Sequence, residues 1–263
     1  MKRLRDTFDR CKSEGRAALV VYLTCGDPSP SASVEIVARA AEAGADVIEL
    51  GVPFSDPNAD GPVIQEAMHR ALEAGGGLSA ALDTVRALRD RGCEVPVVLF
   101  GYYNPLFVYG VDRFARDAAA AGVDAVLTVD LPVDEIDELA TPLHAADIGV
   151  IPLVAPTSTD DRIARLRTLD PPFVYYVSMT GVTGASFAAS KVGPARVARV
   201  REATGAPVAV GFGIKTPDDA KRVAAYADGV VVGSAIVKRI SDAAAGGAAD
   251  AVAELVAALR AAL

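Results

Sequence analysis

The chain has 263 residues, 51% of them apolar, and a net charge of −8 from 26 basic and 34 acidic side chains. That length suits one large domain with a sizeable core. No dense basic patch marks a nucleic-acid surface, and no apolar run reaches the length of a membrane span.

The opening segment, "MKRLRDTFDRCKSEG", is amphipathic and mixed in charge. It lacks the apolar centre of a signal peptide and reads as a helix. Beyond it, short β-rich runs alternate with amphipathic helices. The runs are 17–25, 45–53, 95–104, 124–132, 148–157, 173–181, 206–214 and 228–237. Their near-continuous apolar character is that of a parallel sheet covered by helices. The helix between the fourth and fifth runs contains Pro142 and is expected to be kinked or to start late. Eight even units in this length predict an α/β fold, a closed (β/α)₈ TIM barrel with an extra N-terminal helix under its floor. A doubly wound open sheet is the competing topology, but no "GxGxxG" follows the first strand. No linker or composition break divides residues 1–263, so a single barrel domain is expected. The last helix closes the outer ring.

Two connections are long: "FSDPNADGPVIQEAMHRALEAGGGLS" after the second strand and "TGVTGASFAASKVGP" after the sixth. Loops after strands face the active site of a barrel, so both are candidate lids or tolerated insertions. Cys11, Cys25 and Cys93 are odd in number and widely spaced. They argue against disulfides and for a reducing cytoplasm. His69 and His144 both fall on predicted helices. Neither a histidine triad nor a metal site is expected.

Glu49 lies inside the apolar run "ADVIELGVP". With Ile48 and Leu50 facing the helices, alternation points Val47, Glu49 and Gly51 into the barrel. A desolvated carboxyl has a raised pKa and can both give and take a proton near neutrality. A structural ion pair is the alternative use of such an acid. Asp60, in "NADGP", reads equally well as ordinary turn chemistry or as a second site acid, and so does Asp56 in "SDP". Pro57 and Pro62 restrict where these acids can point. Glycines after the last strands, with Gly213, Gly233 and Ser234, fit a backbone phosphate site or simple close packing. Tyr22, Phe100, Tyr102, Tyr175 and Phe212 would line the mouth, as ligand walls or as core. Lys215 near the mouth leaves a Schiff base open.

The strings "ELGVPFSDPNADGPVIQ", "LTCGDP", "GYYNPL", "GVTG", "GFGI" and "GSAIV", in this order across nearly the whole chain, resemble the tryptophan synthase alpha chain family. The resemblance implies a lyase that splits indole-3-glycerol phosphate into indole and glyceraldehyde 3-phosphate with no cofactor in this subunit. It matches Glu49 to the general acid/base and Asp60 to the acid that bonds the indole N–H. Tyr22, Phe100, Tyr102, Leu127, Tyr175, Thr183 and Phe212 match the substrate pocket. Gly184, Gly213, Gly233 and Ser234 match the phosphate site. The family works as an α₂β₂ complex with a beta chain that receives the indole, and Pro53, Asp56 and Asn104 match the surface that meets it. Asn58 departs from the usual leucine, and Tyr22 from the more frequent phenylalanine. A free-standing lyase, a catalytically dead regulatory barrel and a flavin-binding barrel are the competing readings.

Overall fold

The computed structural model describes residues 1–177, 193–211 and 213–263. Helix α1 (Lys2–Ser13) precedes β1 (Ala18–Thr24), α2 (Pro30–Glu42) and β2 (Val47–Gly51). Two helices follow, α3 (Pro62–Glu73) and α4 (Leu78–Asp90), before β3 (Val97–Gly101). Two more, α5 (Tyr103–Tyr109) and α6 (Val111–Ala121), lead to β4 (Ala125–Thr128) and α7 (Asp137–Ala145). Then come β5 (Gly149–Val150), β6 (Leu153–Val154), α8 (Asp160–Arg165) and β7 (Val174–Val177). The chain finishes with α9 (Pro194–Thr204), β8 (Val208–Gly211), α10 (Pro217–Ala224), β9 (Gly229–Val232), α11 (Ser234–Asp242) and α12 (Ala248–Arg260).

Every strand pair is parallel, in the order β5-β4-β3-β2-β1-β9-β8-β7-β6. The two edges belong to one stretch of chain. The Ile151 N–H donates to Val126 on one side, and the next residue, Pro152, accepts from the Tyr175 N–H on the other. The sheet therefore closes on itself. The predicted fifth strand is broken at Pro152, which has no N–H to give a ladder, and becomes the separate β5 and β6.

Two other expectations are corrected. The connection after β2 is not a bare loop, because it contains α3. Its buried Ile64, Ala67, Met68 and Ala71 follow helical spacing. The third strand stops at Gly101, and the residues after it form α5. Helix α7 starts late, at Asp137, as Pro142 suggested.

The alternation along the strands holds. Ile48 and Leu50 face the helices with Leu19, Val21, Val97 and Leu99. Ala18, Val20, Tyr22, Val47, Val98 and Phe100 face inward. The floor is closed by α1, whose Leu4, Phe8 and Cys11 join the inner cluster, with Phe8 and Phe173 ring centroids 5.1 Å apart. Helix α12 packs on α2 and α11 and completes the outer ring.

Near the floor one device occurs three times. Asp46, Asp124 and Asp228 each donate a backbone N–H to a carbonyl of the neighbouring strand, at Leu19, Val97 and Val208. Each carboxylate then accepts the N–H of that same residue, at 2.8–2.9 Å. Arg16, Arg89 and Arg201 pair with the three carboxylates. A two-way bond of this kind fixes strand register, which otherwise could slip and reverse every side chain.

Near the mouth, by contrast, missing side chains make room. A Cβ on Gly51 would lie 2.3 Å from the Tyr22 hydroxyl, and one on Gly211 would lie 2.2 Å from that of Tyr175. Both tyrosine tips occupy space that only glycine leaves. Gly51→Ala should therefore overpack the mouth and cost roughly 2 kcal/mol. A thermal melt should show a fall of about 5 °C.

Candidate active site

Glu49 comes from β2 and stands level with Tyr22 on β1 and Val98 on β3. It is 1% exposed, and neither carboxyl oxygen has a hydrogen-bond partner among the described residues. Burial alone pushes its pKa up to about 8. The ion-pair alternative thus has no partner to support it, and at neutral pH the carboxyl keeps its proton.

Asp60 reaches the same cavity from the segment between β2 and α3. The turn reading was partly right, since its N–H donates to the Pro57 carbonyl at 3.0 Å. Yet the side chain is buried, and the Tyr102 hydroxyl donates to its Oδ2 at 2.7 Å. Burial raises its pKa to about 6, against the opposing pull of that bond. From α3, the Gln65 amide donates to the Asp60 and Pro57 carbonyls at 2.9 and 3.2 Å, holding the backbone that carries the acid.

The cavity encloses about 480 Å³, its mouth included. Tyr22, Phe100 and Tyr175 form an aromatic wall, with centroid spacings of 5.3 and 6.5 Å. Gly213, Gly233 and Ser234 also line it. Helix α11 starts there with Gly233 as an N-cap that makes no side-chain cap bond. Helix α10 instead closes its own N-terminus with a capping box of Thr216 and Asp219. The first N–H groups of an uncapped helix, together with its dipole, suit an anion.

Leu127 is buried in the barrel interior but does not line the cavity. Tyr102 does not line it either, because its hydroxyl is spent on the strand-two segment. Thr183, Gly184 and Phe212 lie outside the described residues. Lys215 is exposed and away from the cavity lining, so the Schiff-base reading loses its candidate. Ile64, Ile214 and Val231 line the cavity without having been singled out. The helical spacing around Ile64 was the one readable signal. Among the expected partner-surface residues, Asp56 and Asn104 are exposed, whereas Pro53 is buried. Phe107 and Val108, on α5 with Asn104, are 59% and 77% exposed. Nothing in the structure explains asparagine at position 58. Among the described residues, no cluster of histidine, cysteine, aspartate or glutamate could hold a metal ion.

A proton-holding carboxyl inside the mouth of a closed parallel barrel places the chain among the (β/α)₈ barrel enzymes that move protons on a small ligand. The family model for the tryptophan synthase alpha chain matches residues 8–262. A tryptophan synthase alpha chain of Geobacter sulfurreducens is 53% identical over 238 residues, 90% of each chain. A tryptophan synthase structure from Mycobacterium tuberculosis superposes with a TM-score of 0.90 at 40% identity, covering 99% of this chain and 97% of that one. An alpha chain from Legionella pneumophila gives 0.87 at 36% identity, covering 99% and 96%. The chain belongs to the tryptophan synthase alpha chain family, the lyases that cleave indole-3-glycerol phosphate.

The buried acid has a stability consequence with a definite sign. The folded state holds the Glu49 proton up to about pH 8, whereas an ordinary glutamate releases it near 4.5. The folded protein therefore binds more protons in that window, and its stability falls as pH rises through it. Glu49→Gln should melt above wild type by roughly 5 °C at pH 8, with the gap shrinking toward pH 5. Melting curves of both proteins across that range provide the check.

Proposed function

We propose that Glu49 and Asp60 carry the retro-aldol cleavage between them. The observation behind this reading is the pair itself: a buried carboxyl with no hydrogen-bond partner among the described residues, and a second carboxyl held by Tyr102, in one cavity. Glu49 gives its proton to C3 of the indole, making the ring a cationic indolenine. Asp60, ionised, accepts a hydrogen bond from the ring N–H and stabilises that charge as it develops. Glu49, now a carboxylate, takes the proton of the glycerol hydroxyl beside the scissile bond. The C3–C bond breaks, its electrons return to the ring, and indole and the aldehyde separate. Glu49 ends protonated, ready for another turnover.

The uncapped start of α11, with Gly213, Gly233 and Ser234, would hold the substrate phosphate. Tyr22, Phe100 and Tyr175 would form the wall against which the flat ring packs. Thr183, Gly184 and Phe212 are assigned to the same pocket on the family resemblance alone. Residues 1–263 would act as one catalytic barrel, in the cytoplasm. Consistent with that location, no helix among the described residues is long and apolar enough to cross a membrane.

Family membership implies a beta-chain partner, and we assign it the face that carries Asp56, Asn104, Phe107 and Val108, in an α₂β₂ assembly. Exposed large apolar side chains beside charged and polar ones suit such a contact. Indole release from indole-3-glycerol phosphate should rise several-fold when a beta chain is added. Full activity alone would favour the free-standing lyase.

Two rate measurements test the chemistry. Glu49→Gln should lower indole formation at least about 100-fold, the scale of a lost general acid/base; an unchanged rate would remove the mechanism. In wild type, kcat/KM should rise with pH through about 6 as Asp60 ionises and fall through about 8 as Glu49 loses its proton. A flat profile over that span would contradict the assignment.

A further inference from the structure

We infer that Tyr102 is the positioning residue of the site: its hydroxyl orients Asp60 and sets the pH at which the acid becomes a working acceptor. The inference rests on the role proposed above for Asp60.

Sequence placed Tyr102 on the wall of the substrate pocket. In the structure it sits between β3 and α5, at the N-cap of that helix, and is buried. Its ring packs against Phe54 with centroids 5.1 Å apart, so the hydroxyl has a fixed position. That hydroxyl touches the strand-two segment twice. It accepts from the Ala59 N–H at 2.9 Å and donates to Asp60 Oδ2 at 2.7 Å. The first bond orients the hydroxyl and leaves its single proton for the carboxylate. A carboxylate held through Oδ2 presents Oδ1 along a fixed line, so the ring N–H meets an acceptor that need not reorganise.

The same bond has an electrostatic effect. Burial disfavours the Asp60 carboxylate, and a hydroxyl donor favours it. Without that donor, a carboxyl as buried as Asp60 would be more protonated at neutral pH, and a smaller fraction of molecules would offer a carboxylate to the ring N–H. The cost would fall on the step in which the ring becomes positive and much less on binding neutral substrate. Loss of the hydroxyl is therefore a change in kcat and in pH dependence, with KM little altered.

The test is Tyr102→Phe, which keeps the ring against Phe54 and removes only the oxygen. The indole-forming kcat of the alpha–beta complex should fall about tenfold at pH 7, the scale of one hydrogen bond to a charged group. The acid limb of kcat/KM should move up by about one pH unit. In an Asp60→Asn background the same change should cost less than twofold, because the two residues act as one unit. A uniform loss at every pH, with the limb in place, would show Tyr102 to be merely structural and overturn the proposal. So would a full tenfold cost in the Asp60→Asn background.

If Tyr102→Phe does not fold, 3-fluorotyrosine at position 102 serves instead. A more acidic phenol is a stronger donor, so the acid limb should move down, and an unmoved limb would overturn the proposal. If Asp60→Asn alone keeps the wild-type rate, the fault lies with the proposed role of Asp60, and this inference falls with it. If Asp60→Asn loses activity while Tyr102→Phe leaves the limb unmoved, only the Tyr102 inference fails.

Discussion

A carboxyl enclosed by apolar side chains, with no donor to meet it, can remain in a folded protein only by keeping its proton. Among the described residues Glu49 is in that position, and the surrounding structure is arranged to leave it there. Its strand has protein on both faces, and the alternation that sends Ile48 and Leu50 to the helices sends Glu49 inward. It shares its cavity with Tyr22, Phe100 and Val231 and with the polar Asp60 and Ser234, none of which bonds its oxygens. Tyr22 and Tyr175 turn their hydroxyls into the notches over Gly51 and Gly211. The folded state thus carries a group that ordinary water would ionise. That cost falls at the position to which the proposed proton transfer is assigned.

Such a group needs a rigid frame, and the two ends of the barrel divide that work. At the floor, α1 plugs the interior, and Asp46, Asp124 and Asp228 clamp their neighbouring strands in register with arginine partners. Buried charge is paired there and does no chemistry. At the mouth the rule is reversed. Among the described residues Glu49 has no hydrogen-bond partner, and Asp60 has a neutral donor in Tyr102. Paired acids at one end and an unbonded acid at the other fit the structural role of the first and the catalytic role proposed for the second.

Much of this was legible in the sequence, for reasons that differ by residue. The barrel was readable because eight apolar runs and their helices repeat on one rhythm. Glu49 was readable because a strand has only two faces, and a charge inside an apolar run must choose between them. Asp60 was not, since Asp-Gly-Pro is ordinary turn chemistry, and family resemblance gave it a role. Tyr102 was misplaced because its partners, Ala59 and Asp60, lie more than forty residues away. Such non-local bonds leave no local pattern. The break at Pro152 was visible as a proline but not as a seam, because closure depends on which strands flank it. Helix α3 was hidden by the glycines and prolines around it, although its apolar spacing was present.

The central claim is that Glu49 holds its proton at neutral pH. Infrared difference spectroscopy of wild type against Glu49→Gln measures this directly, through the C=O stretch of a protonated carboxyl. A protonated-carboxyl band is expected in wild type at pH 7, absent from the variant, and should disappear as pH rises through about 8. No such band at pH 7, with Glu49 already ionised below pH 6, would contradict it.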